Sequence, residues 1–292
     1  MHGNFIELYQ AKSKHKGLHL SPDELHNIKI VQYADDGTLF LKNKNEMEEA
    51  IKALNLFAKL AGTELNLTKC EGLWIGSSKQ RQLDCNLFGI KWPSTPIRCL
   101  GIYIGHNEHE CIKLNWDDKI NTLDKVLKNA SKRDLTLLGK VCIIKSLAIS
   151  KLIYSATCLS LPSHVCKEVD QRIFRFLWGK RDTIKRKSII NSIEDGGLGM
   201  IDTESQFEAI KAAWVFRIVN TPNHHHWTYL PKTYFEMFGK NNNVIYATFN
   251  DSSTFPQLKQ IPKFYNEVIS AYNKSKVISL ENFNDNFLDE PI

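Results

Sequence analysis

A chain of 292 residues that is 42% hydrophobic and 24% charged has room for one or two cored domains, and its composition excludes collagen-like and disordered classes. No apolar run reaches the roughly 18 residues of a membrane span, and residues 1–10 lack the basic start and apolar core of a secretory signal. Seven cysteines, odd in number and without C-x-x-C spacing, argue for reduced thiols inside the cell, in nucleus or cytoplasm, rather than a disulfide frame or zinc site.

Residues 1–24 carry Lys12, Lys14, Lys16 and a Ser21-Pro22 break without periodicity, and read as a lead-in. Strand-forming runs at 28–33 and 38–41 flank Ala34-Asp35-Asp36-Gly37, which predicts a hairpin with two acids at its tip. Asn45 with Glu48 forms a capping box. After it Met47, Ala50, Ile51, Leu54, Phe57, Ala58 and Ala61 recur at threes and fours up to Gly62, which predicts an amphipathic helix. Further strands are expected at 64–67, 72–76 and 97–104, separated by turn chemistry at Gly89, Pro93 and Pro96. The fold class is α+β: an antiparallel sheet with a packed helix, then an all-α region and an irregular C-terminal segment.

After Gly105 the pattern becomes helical. Asn115 is placed as a cap, with Asp117 and Asp118 in the first turn and Trp116, Ile120, Leu123, Leu127 and Ala130 as the apolar stripe. A second helix is expected over 135–158, ending before Pro162, and a third over 163–178. Gly196, Gly197 and Gly199 lack the strand-to-helix context of a phosphate-binding loop and read as a plain turn. Residues 207–219 predict one more helix. Pro222, His224, His225 and His226, then Asn241 to Asn243, indicate loop, since three consecutive histidines without spaced partners suit an exposed polar stretch better than a metal site. Beyond Lys240 the chain is polar, with short apolar segments such as 264–272.

The net charge of +6 is unevenly spread. Residues 111–190 hold 17 Lys and Arg against 7 Asp and Glu, and the rest of the chain carries no surplus of positive charge. That segment is either a phosphate-backbone footprint or a solvated basic helical surface. Within it Lys140, Lys151, Arg172, Arg175, Lys185, Arg186 and Lys187 are the candidate contacts to nucleic acid. Arginine binds phosphate bidentately, and the interleaved Phe174, Phe176 and Trp178 offer stacking faces or core packing.

Two adjacent carboxylates repel, so keeping Asp35 and Asp36 both ionised calls for a hard divalent cation. The competing reading is a turn, because Asp-Asp-Gly suits positive φ and local hydrogen bonding. Tyr33-Ala34-Asp35-Asp36 resembles the YxDD box of reverse transcriptases. Later blocks resemble those of non-LTR (LINE-type) retrotransposon polymerases: Leu65 to Glu71 with Trp74-Ile75-Gly76, Cys99 to Gly105 as the strand pair called the primer grip, Leu135 to Lys140, Phe176 to Gly179 and Gly196 to Gly199. This resemblance covers roughly residues 25–220 and implies RNA-directed DNA polymerisation, with dNTP, an RNA template and a DNA primer as partners and Mg²⁺, or Mn²⁺ in its place, as cofactor. Asp35 is then a direct metal ligand and Asp36 its support. Lys69 is a candidate proton donor to the leaving pyrophosphate or an exposed lysine in a turn. Tyr33, Ala34, Cys99, Leu100 and Gly101 are placed at the primer end.

The resemblance divides the chain into a lead-in (1–26), a partial palm (27–108), a helical thumb and connection (109–220) and a C-terminal segment (221–292). In the family a third carboxylate comes from an earlier strand, and before Asp35 the nearest acids are Asp23 and Glu24 in a turn segment. The expectation is a carboxy-terminal portion of the polymerase that is inactive alone and completed by an upstream polypeptide of the same element. A different class stays open, a non-catalytic nucleic-acid-binding remnant or domesticated fragment.

Overall fold

The computed structural model describes residues 17–20, 27–34, 36–76, 87–179, 184–222, 225–236 and 261–279. They fall into two compact units, residues 1–108 with 221–233, and residues 109–220 with 234–292.

In the first unit three two-stranded antiparallel sheets carry the β structure among the described residues. Strands β1 (Leu18–His19) and β2 (Asn27–Ile28) pair, and β3 (Ile30–Tyr33) pairs with β4 (Asp36–Leu39) in the register Ile30↔Leu39 to Tyr33↔Asp36. Side-chain alternation then sorts the hairpin into two faces. Ile30 and Leu39 lie on one, where Ile30 packs with Ala50, Leu41, Ala53, Leu54 and Phe57. Val31, Tyr33, Asp36 and Thr38 share the other.

The covering helix is α1 (Lys44–Ala61), and its start differs from the expectation. Two overlapping Asn-x-x-Glu frames compete, Asn43…Glu46 and Asn45…Glu48, and the first wins. The Asn43 side chain accepts from the Glu46 N–H at 2.9 Å, while the Glu46 carboxylate reaches back to the Lys42 N–H at 2.8 Å. Together they satisfy amide donors that the first turn leaves open. Gly62 ends the helix as expected, in the left-handed region at φ 67°.

The strands expected at 64–67 and 72–76 do not form. Leu67–Lys69 is a single 3₁₀ turn, and Glu71 makes one isolated parallel bridge to Lys91. What holds this stretch is stacking: Trp74 lies on Trp92 with ring centroids 4.7 Å apart. A Cβ on Gly72 would come within 2.5 Å of the Trp92 ring, so only glycine fits beneath it. Residues 97–104, one strand candidate by pattern and part of a strand pair by the resemblance, form a hairpin, β5 (Ile97–Cys99) and β6 (Ile102–Ile104), closed by Cys99↔Ile102.

The second unit is helical. Helix α2 (Glu108–Ala130) begins earlier than expected, and Asn115 is no cap. It is buried inside the helix, and its amide donates to the Cys111 carbonyl one turn back at 2.8 Å. The second expected helix starts at α3 (Leu137–Ile143), where the Thr136 hydroxyl accepts from the Gly139 N–H. It passes through a π-helical turn (Ile144–Ile149) and continues as α4 (Ser150–Cys158). Helix α5 (Ser163–Trp178) has the predicted bounds, and a short α6 (Arg186–Ile190) follows. Helix α7 (Thr203–Asn220) contains the predicted 207–219, and α8 (His226–Glu236), most of which belongs to the first unit, begins at His226, the last of the three histidines expected in a loop.

One core cluster joins Leu123 of α2, Ile144 of the π turn, Leu152 of α4, Val169 and Ile173 of α5, Ile189 of α6 and Phe207 of α7. At the end of α4 and just beyond it, three backbone carbonyls are met by side chains. Trp214 Nε1 donates to Thr157 at 2.8 Å, Trp116 Nε1 donates to Ser160 at 3.1 Å, and Lys211 Nζ donates to Leu159. Such partners are what a buried helix terminus requires.

The C-terminal segment, expected to be irregular, contains α9 (Lys263–Ser279). Val268, Ile269, Ala271 and Tyr272 of α9 form a second core with Val215 and Ile218 of α7. Burial of these side chains supplies the driving force that the polar sequence around them conceals. No described helix is long and apolar enough to cross a membrane.

Candidate metal centre and nucleic-acid interface

The hairpin β3–β4 sets the candidate centre. Its ladder runs from the Phe40 N–H to Lys29 carbonyl bond, at 3.0 Å, to the Tyr33↔Asp36 pair. Between the members of that pair lie Ala34 and Asp35, a two-residue connection. Asp35 is outside the described residues. Ala34 sits at φ 53°, the left-handed conformation that primed hairpin turns require and that alanine resists. Gln32 helps to hold it there, donating from Nε2 to the Ala34 carbonyl at 3.0 Å. Asp36 is exposed, and Tyr33 stands 71% exposed beside it.

The second hairpin has the same feature. Leu100 and Gly101 form its turn at φ 47° and φ 80°, so again a residue with a side chain occupies the first left-handed position. Strained residues of this kind persist only where the surroundings fix them, and they concentrate at functional sites. The two hairpins meet: Thr38, on the face that bears Asp36, lies 3.6 Å from Cys99 Sγ, within hydrogen-bond reach for sulfur. This contact links the hairpin that carries Tyr33, Ala34 and Asp36 to the one that carries Cys99, Leu100 and Gly101.

Sequence reading missed Thr38 and Gln32. Parity with Asp36 along β4 marks Thr38. No signal in the sequence points to Gln32.

Lys69 closes the 3₁₀ turn and is exposed, and no described contact ties it to the hairpin tip. Among the described residues no group of three His, Cys, Asp or Glu converges to hold a metal ion. Asp36 is a hard oxygen donor of the kind Mg²⁺ takes, and it fits such an ion in chemistry.

In the second unit the basic candidates divide by what they already do. Arg172 Nε donates to Asp124 at 2.9 Å, and its guanidinium pairs with Glu168 at 2.9 Å. Burial works against its charge, but the Asp124 and Glu168 carboxylates outweigh burial and raise its pKa. Lys140 donates to the Leu177 carbonyl at 3.0 Å, closing the end of α5, and lies 5.7 Å from the Phe176 ring. Arg186 stacks 4.2 Å over the Phe174 ring. Phe174 is 4% exposed and Phe176 packs against the core, so these aromatics act as core rather than as base-stacking faces. Lys151, Arg175, Lys185 and Lys187 are exposed.

Comparison with known proteins agrees with this geometry. Residues 6–104, which contain both hairpins, match the profile of the reverse transcriptase (RNA-dependent DNA polymerase) family. A protein of Xenopus laevis described as "Transposon TX1 uncharacterized 149 kDa protein" is 22% identical over 254 residues. The match covers 84% of this chain and 19% of that protein, so the chain spans about a fifth of its relative's length. Both findings bear out the resemblance to a retrotransposon reverse transcriptase.

Proposed function

We propose that the chain is the carboxy-terminal part of a non-LTR retrotransposon reverse transcriptase, with the back of the palm in residues 27–108, the thumb and connection in 109–220, and a trailing segment in 221–292. The observation that carries this reading is the Thr38–Cys99 contact, which joins the acid-bearing hairpin to the second strained hairpin. The first would hold metal and the second would support the primer end.

Asp35 and Asp36 would hold Mg²⁺ or Mn²⁺, which supplies charge stabilisation to the attacking 3′ hydroxyl and the leaving pyrophosphate. Tyr33 and Ala34, beside Leu100 and Gly101, would fix the primer terminus, where close backbone approach favours small or turn-forming residues. Lys69 would donate a proton to the leaving group. Lys151, Arg175, Lys185 and Lys187 would contact phosphates of the RNA–DNA duplex, together with Arg186. Arg172 and Lys140 would act through the helices they tie down, since their charges are already engaged. The reaction takes place inside the cell, in nucleus or cytoplasm.

Asp35 and Asp36 supply two carboxylates, and on this reading further acids come from an upstream polypeptide of the same element. Primer extension on an RNA template tests this. The purified chain alone should give no product. Product should appear when the upstream polypeptide is supplied in trans, and Asp35→Ala should abolish it. Extension that survives Asp35→Ala would remove the assignment. Duplex binding without extension in any mixture would favour the non-catalytic reading.

A further inference from the structure

The glycine run Gly196-Gly197-Leu198-Gly199, a plain turn by sequence, is packed more tightly than a connection requires. The Ile189 carbonyl accepts from the N–H groups of both Leu198, at 3.0 Å, and Met200, at 3.1 Å. Gly197 N–H donates to Ser192 and Gly199 N–H to Asn191, each at 2.8 Å. Gly197 is buried, and a Cβ there would fall 2.1 Å from the Asn191 carbonyl oxygen, a distance that no side chain accommodates. Across this clasp Lys145 of the π turn donates from Nζ to the Gly199 carbonyl at 3.1 Å.

The clasp closes back onto α6, a helix of five residues that is too short to be stable alone. Ile189, 1% exposed, plugs α6 into the core, and Arg186 rests on Phe174. Lys185, which precedes the first turn of α6, and Arg186 and Lys187 within that turn are exposed. The three cations therefore stand at a helical turn whose position is set by the glycine clasp.

We infer that the Gly196–Gly199 clasp is a positioning element that pre-orders Lys185, Arg186 and Lys187 for the phosphates of an RNA–DNA duplex, with Gly197 and Lys145 as its positioning residues. This rests on the proposed duplex binding by the basic segment. Ordering a short cationic turn before binding removes the entropy that a flexible one loses on the phosphates, so the clasp raises affinity without touching the ligand.

The test is a double-mutant cycle on the full chain, with a short RNA–DNA hybrid as the probe and binding measured over a salt series. The triple variant Lys185→Ala, Arg186→Ala, Lys187→Ala should lower affinity and flatten the log affinity against log salt slope by roughly 0.9 for each phosphate no longer neutralised. If the triple variant binds as the parent does, this segment is not the interface and the reading beneath the inference falls. Given that weakening, Gly197→Ala should reduce binding by about tenfold in the parent and have no further effect in the triple background. Lys145→Met should behave alike with a smaller drop of about threefold, and Lys145→Arg should restore binding. Effects that add to those of the triple variant would show direct contact or global damage and overturn the inference, as would parental affinity in both single variants. Lys145→Met leaves the glycine backbone intact, so the cycle stands if Gly197→Ala does not fold.

Discussion

The acid-bearing hairpin and the helical unit differ in what fixes them. In the helical unit Leu123, Ile144, Leu152, Val165, Val169, Ile173 and Phe207 have no more than a trace of exposed surface, and the helices are positioned by what their side chains fill. Among the described residues of the hairpin Ile30 alone is buried, Val31 and Tyr33 are 45% and 71% exposed, the Gln32 amide bonds the strained Ala34 at the turn, and Thr38 reaches Cys99. Packing therefore sets one region, and local backbone chemistry the other. The proposed metal and primer contacts fall on the exposed face.

The sharpest way to break that contrast is to remove bulk from each region. Leu152→Ala, at a fully buried position, should destabilise the helical unit by about 3 kcal/mol through reduced transfer energy and the cavity left behind. Val31→Ala, on the open face, should change stability by less than about 0.5 kcal/mol. Chemical denaturation followed by circular dichroism reads both, and comparable destabilisation would contradict the division.

A second test lies at Lys211, which is 3% exposed, 3.8 Å from Glu267 and 4.0 Å over the Phe264 ring. Burial pushes its pKa down to about 8, against the pull of Glu267. Because the folded-state value lies below the unfolded one, the unfolded chain binds more protons between them. Stability should therefore rise as pH increases from about 8 to about 10.5. Burial also raises the Glu267 pKa, and that contribution acts at acid pH with the opposite slope. The alkaline gain, on the order of 3 kcal/mol, should be absent in Lys211→Met. An unchanged pH profile in that variant would mean that the ammonium is solvated.

Smaller effects sharpen the hairpin side. Thr38→Val and Cys99→Ala should show a coupling of about 0.5 kcal/mol in a double-mutant cycle, read from hydrogen-exchange protection of the β3–β4 amides. Strict additivity would separate the two hairpins. Ala34→Gly should protect the same amides by about 0.5 kcal/mol more, as left-handed strain is relieved and partly offset by unfolded-state entropy. Weaker protection would mean that Ala34 is not strained.

The same contrast explains what the sequence made legible. Helices with a strong 3.6 period were readable: 163–178 matches to the residue because Val165, Val169, Ile173 and Leu177 recur at fours behind Pro162. Starts were less readable where polar signals repeat, as with Asn43 and Asn45, or where an asparagine is satisfied inside a helix, as Asn115 is by Cys111. The π turn at 144–149 left no mark, since the buried positions keep helical spacing through it. The strands expected at 64–67 and 72–76 had suitable residues but no partner strand among the described residues, and Trp74 stacks on Trp92 instead. The motif names Tyr33, Ala34, Asp36 and the 99–101 segment as candidates. The link between the two hairpins, Thr38 to Cys99, is a contact across 61 residues of sequence that no local pattern encodes.

The proposed metal centre is tested most directly by titrating Mn²⁺ into the isotopically labelled chain and mapping paramagnetic broadening of backbone amides. Carboxylate capture at the hairpin predicts broadening centred on Tyr33 to Gly37, spreading to Leu100 and Gly101 across the Thr38–Cys99 contact, and abolished in Asp35→Asn with Asp36→Asn. Broadening centred elsewhere, or unchanged in that double variant, would contradict a metal centre at these acids.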